Sequence, residues 1–383
     1  MKRVAILKNN FLPKGGLEKH AHQLARVFAE RGCETLVLTQ FPKGRGGSPF
    51  EPDPPYEVLS LGENTSWHLT SRLKFDRACR EWARRNPGTL LFGFDRISCM
   101  THYLAGDGVH KLYLSQRRYL DGPLRTLSHR LNPKHRRSLE EEKTLFERGE
   151  VEVFPNSYMV KEDILEHYDA DPARLHVVHN GIEWRALQEP FDRWERERPR
   201  LYQELSLDPG RYQFLFLGHG YKRKGLLPLL DGLSRLPADL WQLSVVGREA
   251  RLSDYQSYVK RLDMEGNVRF FGGQSDTRPF LQVADSLVLP SLYDPFANVT
   301  VEALAMGLFV VTSDFNGGKE VLTPESGCII DSLFNPESVA EALQQALLRP
   351  KSGERAAIIR KSVAHLEVAS QLNKVVERSL NAT

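Results

Sequence analysis

Two carboxylates eight positions apart, Asp294 and Glu302, occur in the stretch LYDPFANVTVEALAMGLFVV. Pro-Phe follows Asp294, and Glu302 lies in an apolar run with helical spacing. A helix that begins near Ala297 places Glu302 on its second turn and leaves Asp294 in the preceding loop. Two acids arranged in this way can accept hydrogen bonds from sugar hydroxyls. On spacing alone, the simpler interpretation is that Asp294 caps the helix and Glu302 lies on its surface.

A second candidate site is the basic segment GHGYKRKG, Gly218–Gly225, which follows a predicted strand and precedes a predicted helix. Arg223 and Lys224 lie beside the start of that helix, where unpaired N–H groups and the helix dipole favour anions. A guanidinium binds phosphate through two hydrogen bonds and an ammonium adds a point charge, so the pair suits a diphosphate. A solvated basic turn is the alternative. The spacing of a P-loop, GxxxxGK[ST], is absent.

Gly15 and Gly16 form a third candidate, at the turn between the first predicted strand and the first predicted helix. Two glycines at such a turn allow the backbone to approach a ligand closely. A tight turn without any binding role is an equal alternative. Because the GxGxxG pattern is absent, the sequence predicts no nicotinamide dinucleotide site here.

Short apolar runs that alternate with helical patterns must position these residues. The chain begins with a predicted strand at Val4–Leu7, a helix at Leu17–Arg31 that ends before Gly32, and a strand at Thr35–Thr39. A second series of such units begins at Phe214–Leu217. The alternation predicts an α/β protein with two doubly wound parallel sheets. Ligands bind such sheets beyond the carboxyl ends of the strands, where all three candidate sites lie.

The division into domains follows from the remaining elements. Further strands are predicted at Leu90–Gly93, Val151–Pro155, Leu175–Val178, Leu243–Val246, Val268–Phe271, Leu287–Leu289 and Phe309–Thr312. The segment 181–210, rich in Glu, Arg and Pro, is the predicted link. We therefore expect an N-terminal domain over 1–180, a C-terminal domain over 181–361, and a helical segment, 362–383, that packs back on the first domain.

Composition excludes several classes of protein. A length of 383 residues with 41% hydrophobic residues suggests two domains, and a net charge of +3 creates no overall field for nucleic acid. The cysteines at 33, 79, 99 and 328 are scattered and predict neither disulfides nor a zinc site, as in a reducing cytoplasm. No apolar run resembles a signal peptide or reaches the roughly eighteen residues of a membrane span.

Two patterns with metal-binding residue types are expected to serve other purposes. Asp169 and Asp171 form a DxD pattern, but they lie in a turn before a proline, where a capping role is expected. His20 and His22 are two positions apart on a predicted helix and therefore project from different faces. We expect neither a metal nor another cofactor.

Several motifs together resemble the retaining glycosyltransferases of family 4, which have the GT-B fold. The first is the acid–seven residues–Glu pattern of Asp294 and Glu302. The others, in chain order, are GGLEKH (15–20), PNSYMVKEDI (155–164), VVHNGIE (177–183), RKG (223–225), VVG (245–247), NVRFFG (267–272) and NGGKEVL (316–322). The N-terminal half, with its FGFDR and AGDG segments, is most similar to bacterial lipopolysaccharide core glucosyltransferases.

The resemblance implies a role for each matching position in the second domain. Arg223 and Lys224 match the pair that binds the nucleotide diphosphate, and Glu302 matches the acid that binds the nucleotide ribose. Asp294 matches the acid that contacts the transferred sugar, where Glu is usual, and Ala297 stands where Gly is common. The nucleotide-sugar site would be completed by the backbone of Gly218, Phe296, Ala297, Asn298 and Val299.

In the first domain, the resemblance assigns the acceptor side of the reaction. Gly15 and Gly16 match the loop that faces the diphosphate across a cleft between the two domains. Asp107, in AGDG, falls where many relatives carry a histidine near the reacting carbon. It would orient a sugar hydroxyl or the acceptor.

The activity implied by the resemblance is transfer of a hexose with retention at the anomeric carbon and without a metal. UDP-glucose is the expected donor, and a lipopolysaccharide core-type glycolipid is the expected acceptor. A transferase of another glycan pathway with a different nucleotide sugar is one alternative. A nucleotide-sugar epimerase, which lacks the acid–seven–Glu signature, is another. The third is a non-catalytic nucleotide-sugar-binding or membrane-scaffold protein.

The basic segment, residues 111–137, mixes cations with the aromatic and aliphatic side chains of Tyr113, Leu114, Tyr119, Leu120, Leu124, Leu127 and Leu131. Its cations are Lys111, Arg117, Arg118, Arg125, Arg130, Lys134, Arg136 and Arg137, against the single acid Asp121. This composition suits an anionic membrane or a phosphorylated glycolipid, and we expect peripheral association with the cytoplasmic face of a bacterial inner membrane. A solvated helical face is the alternative. Nucleic acid is not expected, because no RNA-binding or helix-turn-helix signature is present.

Overall fold

A computed structural model of the chain describes residues 1–12, 16–41, 50–51, 53–63, 69–117 and 132–381. The described residues form two compact units. The first unit contains those up to 114, together with 132–179 and 369–381, and the second contains 115–117 and 180–368. The boundaries expected from the sequence were 180/181 and 361/362.

The first unit is built on a parallel sheet. Its strands, within the described residues, are β1 (Arg3–Leu7), β2 (Glu34–Phe41), β3 (Glu57–Glu63), β4 (Leu90–Gly93), β5 (His102–Ala105) and β6 (Glu152–Pro155). They are arranged in the order β3-β2-β1-β4-β5-β6. All four apolar residues of β1 and all of β4 are buried, as expected for parallel strands that are covered on both faces.

Helices alternate with the strands of this sheet. Within the described residues they are α1 (Gly16–Glu30), α2 (Leu69–Arg85), α3 (His110–Arg117), α4 (Pro133–Phe146) and α5 (Tyr158–His167). The last three residues of α3, 115–117, are grouped with the second unit. In α1 the buried residues are Ala21, Leu24, Ala25 and Phe28, which follow the i, i+3, i+4, i+7 spacing of an amphipathic helix. The helix ends before Gly32, whose φ of +78° is the left-handed conformation typical of helix ends, and the predicted helix is confirmed to within one residue.

The second unit repeats the same topology. Its strands in the described region are β7 (Tyr212–Leu217), β8 (Trp241–Val246), β9 (Val268–Gly272), β10 (Ser286–Leu289), β11 (Phe309–Ser313) and β12 (Gly327–Ile330). Their order is β12-β11-β10-β7-β8-β9. Counted from its own first strand, each sheet therefore has the strand order 3-2-1-4-5-6 of a doubly wound fold, and the predicted α/β class with duplicated architecture is confirmed.

Alternate residues of β7 serve the two faces of the second sheet. Phe214 and Phe216 belong to one apolar cluster, and Leu215 and Leu217 belong to the other. Helices cover both clusters, so every residue of β7 is buried. The helices are α6 (Gln188–Glu204), α7 (Tyr221–Lys224), α8 (Leu226–Leu233), α9 (Leu252–Arg261), α10 (Arg278–Val283), α11 (Asn298–Ala305), α12 (Pro336–Leu347) and α13 (Gly353–Ser362).

The last helix, α14 (Val368–Asn381), returns to the first unit from residue 369 onward. Its buried face consists of Gln371, Leu372, Val375, Val376 and Ser379. Polar contacts lie at its edge, where Arg31 donates to Glu377 at 2.8 Å and Lys2 donates to the carbonyl of Leu380 at 2.5 Å. Helix α14, from residue 369 onward, thus belongs to the unit that contains β1.

Two local predictions were wrong. The segment Leu175–Val178 is extended but forms only one bridge, between Leu175 and Val153, instead of a strand. The segment 181–210 is not a linker, because most of it is α6 in the second unit, with Trp194 and Leu201 buried. Its abundant charged residues obscured the amphipathic pattern. Strands β3, β5 and β12 were not predicted.

Asp285 anchors the amino end of β10. Its Oδ1 accepts hydrogen bonds from Arg198 Nη2 at 2.6 Å and from the backbone N–H of Lys351 at 3.1 Å, and its Oδ2 accepts one from Gln213 N–H at 2.9 Å. The side chains of Asp285 and Arg198 are only 6% and 17% exposed. The carboxylate therefore connects α6, β7 and the segment before α13.

We expect Asp285→Ala to lower the free energy of unfolding by about 3–5 kcal/mol, because it leaves the half-buried Arg198 without its acidic partner. Urea denaturation followed by tryptophan fluorescence measures this loss. Asp276→Ala is the matched control, since Asp276 pairs with Arg278 at an exposed position and should cost less than about 1 kcal/mol. Equal losses in the two variants would contradict the prediction.

Candidate functional site

Two loops meet at the carboxyl ends of adjacent strands in the second sheet. The loop after β7 carries α7, and the loop after β10 carries Asp294. The N–H of Leu292 donates to the carbonyl of Arg223 at 2.9 Å, which joins the two loops. Asp294 is itself fixed on both sides, since its N–H donates to Phe315 and its carbonyl accepts from Gly317, at 2.8 and 2.9 Å.

Asp294, Arg223 and Lys224 form a largely buried cluster of charges, hereafter the ion triad. Arg223 Nη1 donates to Asp294 Oδ2 at 2.7 Å, and Lys224 Nζ donates to the same oxygen at 2.5 Å. The side chains of Asp294 and Lys224 are 7% and 8% exposed, whereas Arg223 is 38% exposed. The ion triad therefore has one negative and two positive charges and presents a guanidinium to solvent.

The surroundings favour an ionised Asp294. Burial alone would raise the pKa of this carboxyl, but the charges and hydrogen bonds of Lys224 and Arg223 outweigh burial and hold the pKa below its usual value. Burial lowers the pKa of the Lys224 ammonium, while Asp294 and, more weakly, Glu302 oppose that shift. Glu302, half-buried on α11, thus lies within electrostatic range of the ion triad.

Glycines allow the close approach of backbone that this arrangement needs. Gly225, at φ +81°, would place a Cβ 1.7 Å from the carbonyl oxygen of Pro290. Gly247, at φ +145°, would place a Cβ 1.9 Å from the carbonyl oxygen of Gly218. A side chain at Gly225 would force the turn that carries Lys224 away from Pro290, in the loop that carries Asp294. A side chain at Gly247 would push against Gly218, at the start of the loop after β7.

Helix α11 begins directly behind the ion triad. Ala297 is its N-cap residue and no side chain caps it; the N–H of Ala297 donates to Asn316 Oδ1 at 3.3 Å. Asp294 is therefore not the helix cap, and this alternative was wrong because its carboxylate is directed at Arg223 and Lys224. Asn298, the first residue of the helix, is exposed.

The structure divides the sequence-predicted site residues between the two units. Those in the second unit are Gly218, Arg223, Lys224, Asp294, Phe296, Ala297, Asn298, Val299 and Glu302. In the first unit, Gly16 is the exposed first residue of α1, and Asp107 is exposed in the turn after β5. Gly15 lies outside the described residues.

The first unit has its own charged cluster, which was not predicted. Lys8 follows β1, and its ammonium lies 3.1 Å from Asp95 Oδ1, after β4, and 3.5 Å from Glu18 Oε1, on α1. Burial would lower the pKa of Lys8, but Asp95, Glu18 and Asp107 outweigh it and raise the pKa. Glu18 belongs to the GGLEKH segment and Asp95 to the FGFDR segment. Both acids of this cluster therefore lie in motifs on which the family resemblance was based.

Other sequence features have structural roles. Asp171 caps the turn Pro172–Arg174, as predicted for the DxD pattern. His22 is hydrogen-bonded to the hydroxyl of Tyr56 at 2.7 Å and does not face His20. Within the part of the chain that is described, no three His, Cys, Asp or Glu residues are grouped as metal ligands. None of the described helices is both long and apolar enough to cross a bilayer.

Only the ends of the basic segment are described, in α3 and α4. Lys111, Lys134 and Arg136 are exposed, whereas Arg117 and Arg137 are half-buried. The remaining predicted residues, Arg118, Tyr119, Leu120, Asp121, Leu124, Arg125, Leu127, Arg130 and Leu131, lie outside the described residues. The described cations thus provide exposed positive charge at both ends of the segment.

A cavity of about 540 Å³ opens between α2 and α4 in the first unit. Glu141 on its wall accepts hydrogen bonds from Arg72 at 3.0 Å and Arg137 at 2.8 Å. Its charged groups therefore largely compensate each other. None of the sequence-predicted catalytic or nucleotide-sugar-binding residues lines this cavity.

Family models match both halves of the chain. Residues 14–184 match Glycosyltransferase Family 4, and residues 197–362 match Glycosyl transferases group 1. The lipopolysaccharide glucosyltransferase WaaG of Escherichia coli K12 is 24% identical over 353 residues, which cover 90% of this chain and 89% of that protein. The lipopolysaccharide core biosynthesis glycosyltransferase LpsE of Rhizobium meliloti is 33% identical over 145 residues, 36% of this chain and 42% of that protein.

Solved structures share the fold over almost the whole chain. The crystal structure of WaaG has a TM-score of 0.76 and 22% identity, and the match covers 98% of this chain and 99% of that one. The Anabaena protein HepE, in complex with UDP and glucose, has a TM-score of 0.69 and 16% identity, and both chains are covered completely. The predicted GT-B fold is therefore confirmed.

Removing the negative charge of the ion triad should change its response to anions. We expect Asp294→Asn to lower the melting temperature of the free protein and to enlarge the rise caused by inorganic pyrophosphate. The neutral amide no longer compensates the charges of Lys224 and Arg223, so the folded protein without a bound anion is less stable. The same two uncompensated cations should bind an anion more strongly. Thermal denaturation with and without pyrophosphate measures both effects.

The pH dependence of this variant follows from the direction of the pKa shift. Because the folded-state pKa of Asp294 lies below its ordinary value of 3.8, ionisation of this carboxyl stabilises the fold fully above pH 3.8. The stability difference between wild type and Asp294→Asn should shrink as the pH falls below 3.8. Asp314→Asn, at an exposed position that pairs with Lys319, is the control and should show neither effect. An unchanged pyrophosphate response in Asp294→Asn would refute the prediction.

Proposed function

The chain belongs to the family 4 glycosyltransferases with the GT-B fold, and we propose that it transfers glucose from UDP-glucose to a lipopolysaccharide core-type glycolipid. The observation that carries the donor side of this proposal is the ion triad, in which Arg223 and Lys224 are already oriented by Asp294. The similarity to WaaG over 90% of the chain supports glucose as the sugar and the glycolipid as the acceptor.

Diphosphate recognition is the role proposed for Arg223 and Lys224. The exposed guanidinium suits two hydrogen bonds to phosphate oxygens, and the buried ammonium adds a positive charge behind it. Glu302, close to Lys224, would accept hydrogen bonds from the ribose hydroxyls. Gly218 and the segment from Phe296 to Val299 would line the nucleotide sugar.

The proposed reaction retains the configuration of the anomeric carbon. The bond from that carbon to the diphosphate oxygen breaks while an acceptor hydroxyl forms a bond on the same face. The hydroxyl proton passes to the departing phosphate, on which negative charge develops. Arg223 and Lys224 would stabilise this charge without further reorganisation, because Asp294 holds them in place beforehand. No metal takes part in this proposal.

The acceptor side is assigned to the first unit. Asp107, exposed after β5, would orient a hydroxyl of the acceptor or of the transferred sugar. Gly15 and Gly16 would approach the diphosphate. Asp294 would contact the transferred sugar with a side chain one methylene shorter than the usual Glu.

The donor proposal predicts a loss of nucleotide binding and activity when the cations of the ion triad are removed. In wild type, UDP at about a hundred times its Kd should add roughly 2.7 kcal/mol of apparent stability, and GDP and ADP should add less. Arg223→Ala and Lys224→Ala should abolish this shift and lower kcat/KM for UDP-glucose by about a hundredfold or more. Differential scanning fluorimetry and UDP release in the presence of EDTA measure these quantities.

Lys222→Ala is the matched control, because Lys222 is the third cation of the same turn but not a member of the ion triad. This variant should keep the stabilisation by UDP, and its kcat/KM for UDP-glucose should stay within a few-fold of wild type. Stabilisation by GDP or ADP instead of UDP would assign another donor. Full activity in Arg223→Ala would reject the proposed diphosphate site.

We also propose that the basic segment binds the anionic cytoplasmic face of a membrane, where the glycolipid acceptor would be found. Its exposed cations Lys111, Lys134 and Arg136 support this assignment. Each basic residue near an anionic surface contributes about 1 kcal/mol. The contribution falls within a Debye length, so binding should weaken as salt rises.

Vesicle flotation tests the membrane assignment. The double variant Lys134→Glu, Arg136→Glu should bind vesicles of anionic phospholipid at least about tenfold more weakly than wild type. The control with the same charge change is Arg193→Glu, Arg196→Glu on α6, which should bind like wild type. Equal flotation of wild type with neutral and anionic vesicles would refute membrane recognition by charge.

A further inference from the structure

Glu142 is a fully buried carboxylate of α4 that accepts four hydrogen bonds. Its Oε1 accepts from Arg96 Nη2 and from the backbone N–H of His110, both at 2.6 Å. Its Oε2 accepts from the hydroxyl of Tyr168 at 2.7 Å and from the backbone N–H of Lys111 at 3.3 Å. The two oxygens of a carboxylate offer about four acceptor positions, so its hydrogen-bonding capacity is fully used.

The two backbone donors are the first residues of α3. A carboxylate at this position satisfies N–H groups that have no partner within the helix and interacts favourably with the helix dipole. Glu142 therefore fixes both where α3 begins and how it is oriented. The turn that precedes α3 carries Asp107.

Arg96 connects the same carboxylate to that turn. In addition to Glu142, its Nη2 donates to the carbonyl of Gly108 at 3.3 Å. Burial would lower the pKa of this guanidinium, but Tyr103, Glu142 and Asp107 outweigh burial and raise the pKa. Arg96 thus holds the turn from one side while Glu142 holds the helix from the other.

The side chains of the first turn of α3 are also held. His110 Nε2 lies 3.0 Å from Nδ1 of His135 on α4, and the ammonium of Lys111 lies 5.8 Å from the ring centre of Tyr168. Burial and the charge of Glu142 raise the pKa of the Tyr168 phenol, so this group remains a hydrogen-bond donor at neutral pH. Lys111 is also the first residue of the basic segment.

A charge buried in this way is a poor means of stabilising a fold, because its desolvation offsets most of the attraction to its partner. Its effect is geometric instead, since a fully bonded carboxylate permits one arrangement of its donors. Here the donors belong to the β4–β5 loop, the start of α3 and the end of α5. The turn with Asp107 and the start of the basic segment are consequently held as one rigid piece.

We propose that Glu142 is a positioning residue for the acceptor side of the reaction. Together with Arg96, it fixes the turn that carries Asp107 and the start of the basic segment, so that the glycolipid acceptor meets both in one preorganised arrangement. The link to the acceptor rests on the proposed function. The positioning of residues 106–111 by Glu142 does not depend on the proposed function, and it can be measured without any substrate.

Glu142→Gln tests this proposal with a side chain of nearly the same shape. One carboxylate oxygen becomes an NH₂ group, which then faces two hydrogen-bond donors whichever way the amide is turned. Hydrogen exchange should show the protection of the N–H groups of His110 and Lys111 falling by about tenfold or more, as expected for losing charge-assisted hydrogen bonds. KM for the glycolipid acceptor should rise by a similar factor, while KM for UDP-glucose and the UDP-induced thermal shift remain unchanged.

Glu152→Gln is the matched control in the same unit. Glu152, at the start of β6, is also largely buried and pairs with Arg174 at 2.7 Å and His176 at 2.5 Å, but it has no contact with the turn. It should lower the melting temperature without changing protection at 106–111 or KM for the acceptor. Tyr168→Phe, which removes one donor and keeps the carboxylate, should shift both readouts in the same direction as Glu142→Gln but less.

Three results separate the inference from the proposed function. Unchanged protection at His110 and Lys111 in Glu142→Gln and Tyr168→Phe would overturn the positioning role. So would equal changes in Glu152→Gln, because the effect would then be a general loss of stability. If wild type failed to respond to UDP, the proposed function would fail, and hydrogen exchange would still decide whether Glu142 positions the turn.

Discussion

The buried pairing of Asp294 with Lys224 is the interaction on which the second unit's site depends. Two opposite charges that are both almost inaccessible to water must remain in contact, since separating them would leave each one uncompensated. The pair joins the loops after β7 and β10, which are neighbours in the sheet. The close approach of Gly225 to Pro290 then determines where Arg223 lies, and with it the direction of the exposed guanidinium.

The first unit contains a related arrangement at the same topological position. In each sheet the first and fourth strands are adjacent, and this is where a doubly wound sheet reverses its strand order. A lysine after the first strand pairs there with an aspartate after the fourth: Lys8 with Asp95, and Lys224 with Asp294. The balance of charge differs, because Glu18 adds an acid to the first pair and Arg223 adds a cation to the second. An acidic edge suits hydroxyl donors and a cationic edge suits a diphosphate, which agrees with the proposed division between acceptor and donor.

Much of the fold followed from the sequence, because buried parallel strands are continuous apolar runs and the loops after them contain recognisable glycines and charges. The sequence did not show which residues pair with those charges. Lys224 and Asp294 are 70 positions apart, and only the packing of two strands brings them together. Glu142 lies in the run EEEK, which is typical of a solvated helix face, and its burial depends on contacts with three other segments. Segment 181–210 was misassigned for the same reason, since charge density hid the buried face of a helix.

Asp285 and Asp294 are both buried carboxylates that accept hydrogen bonds from cations, and they differ in how exposed the arginine partner is. Asp285 accepts from three donors, and its partner Arg198 is 17% exposed and lies 5.5 Å from the ring centres of Trp194 and of Tyr202, so little of that guanidinium is open to a ligand. Asp294 holds Arg223 at 38% exposure, which leaves the guanidinium able to bind an anion while its position is already fixed. The same kind of contact therefore anchors α6 at the amino end of β10 and, under the proposed function, would orient the cations of a diphosphate site beyond its carboxyl end. Catalysis by preorganised charge requires a cation that is exposed and already held in place. A cation that had to be oriented by the substrate would contribute less to the stability of the transition state.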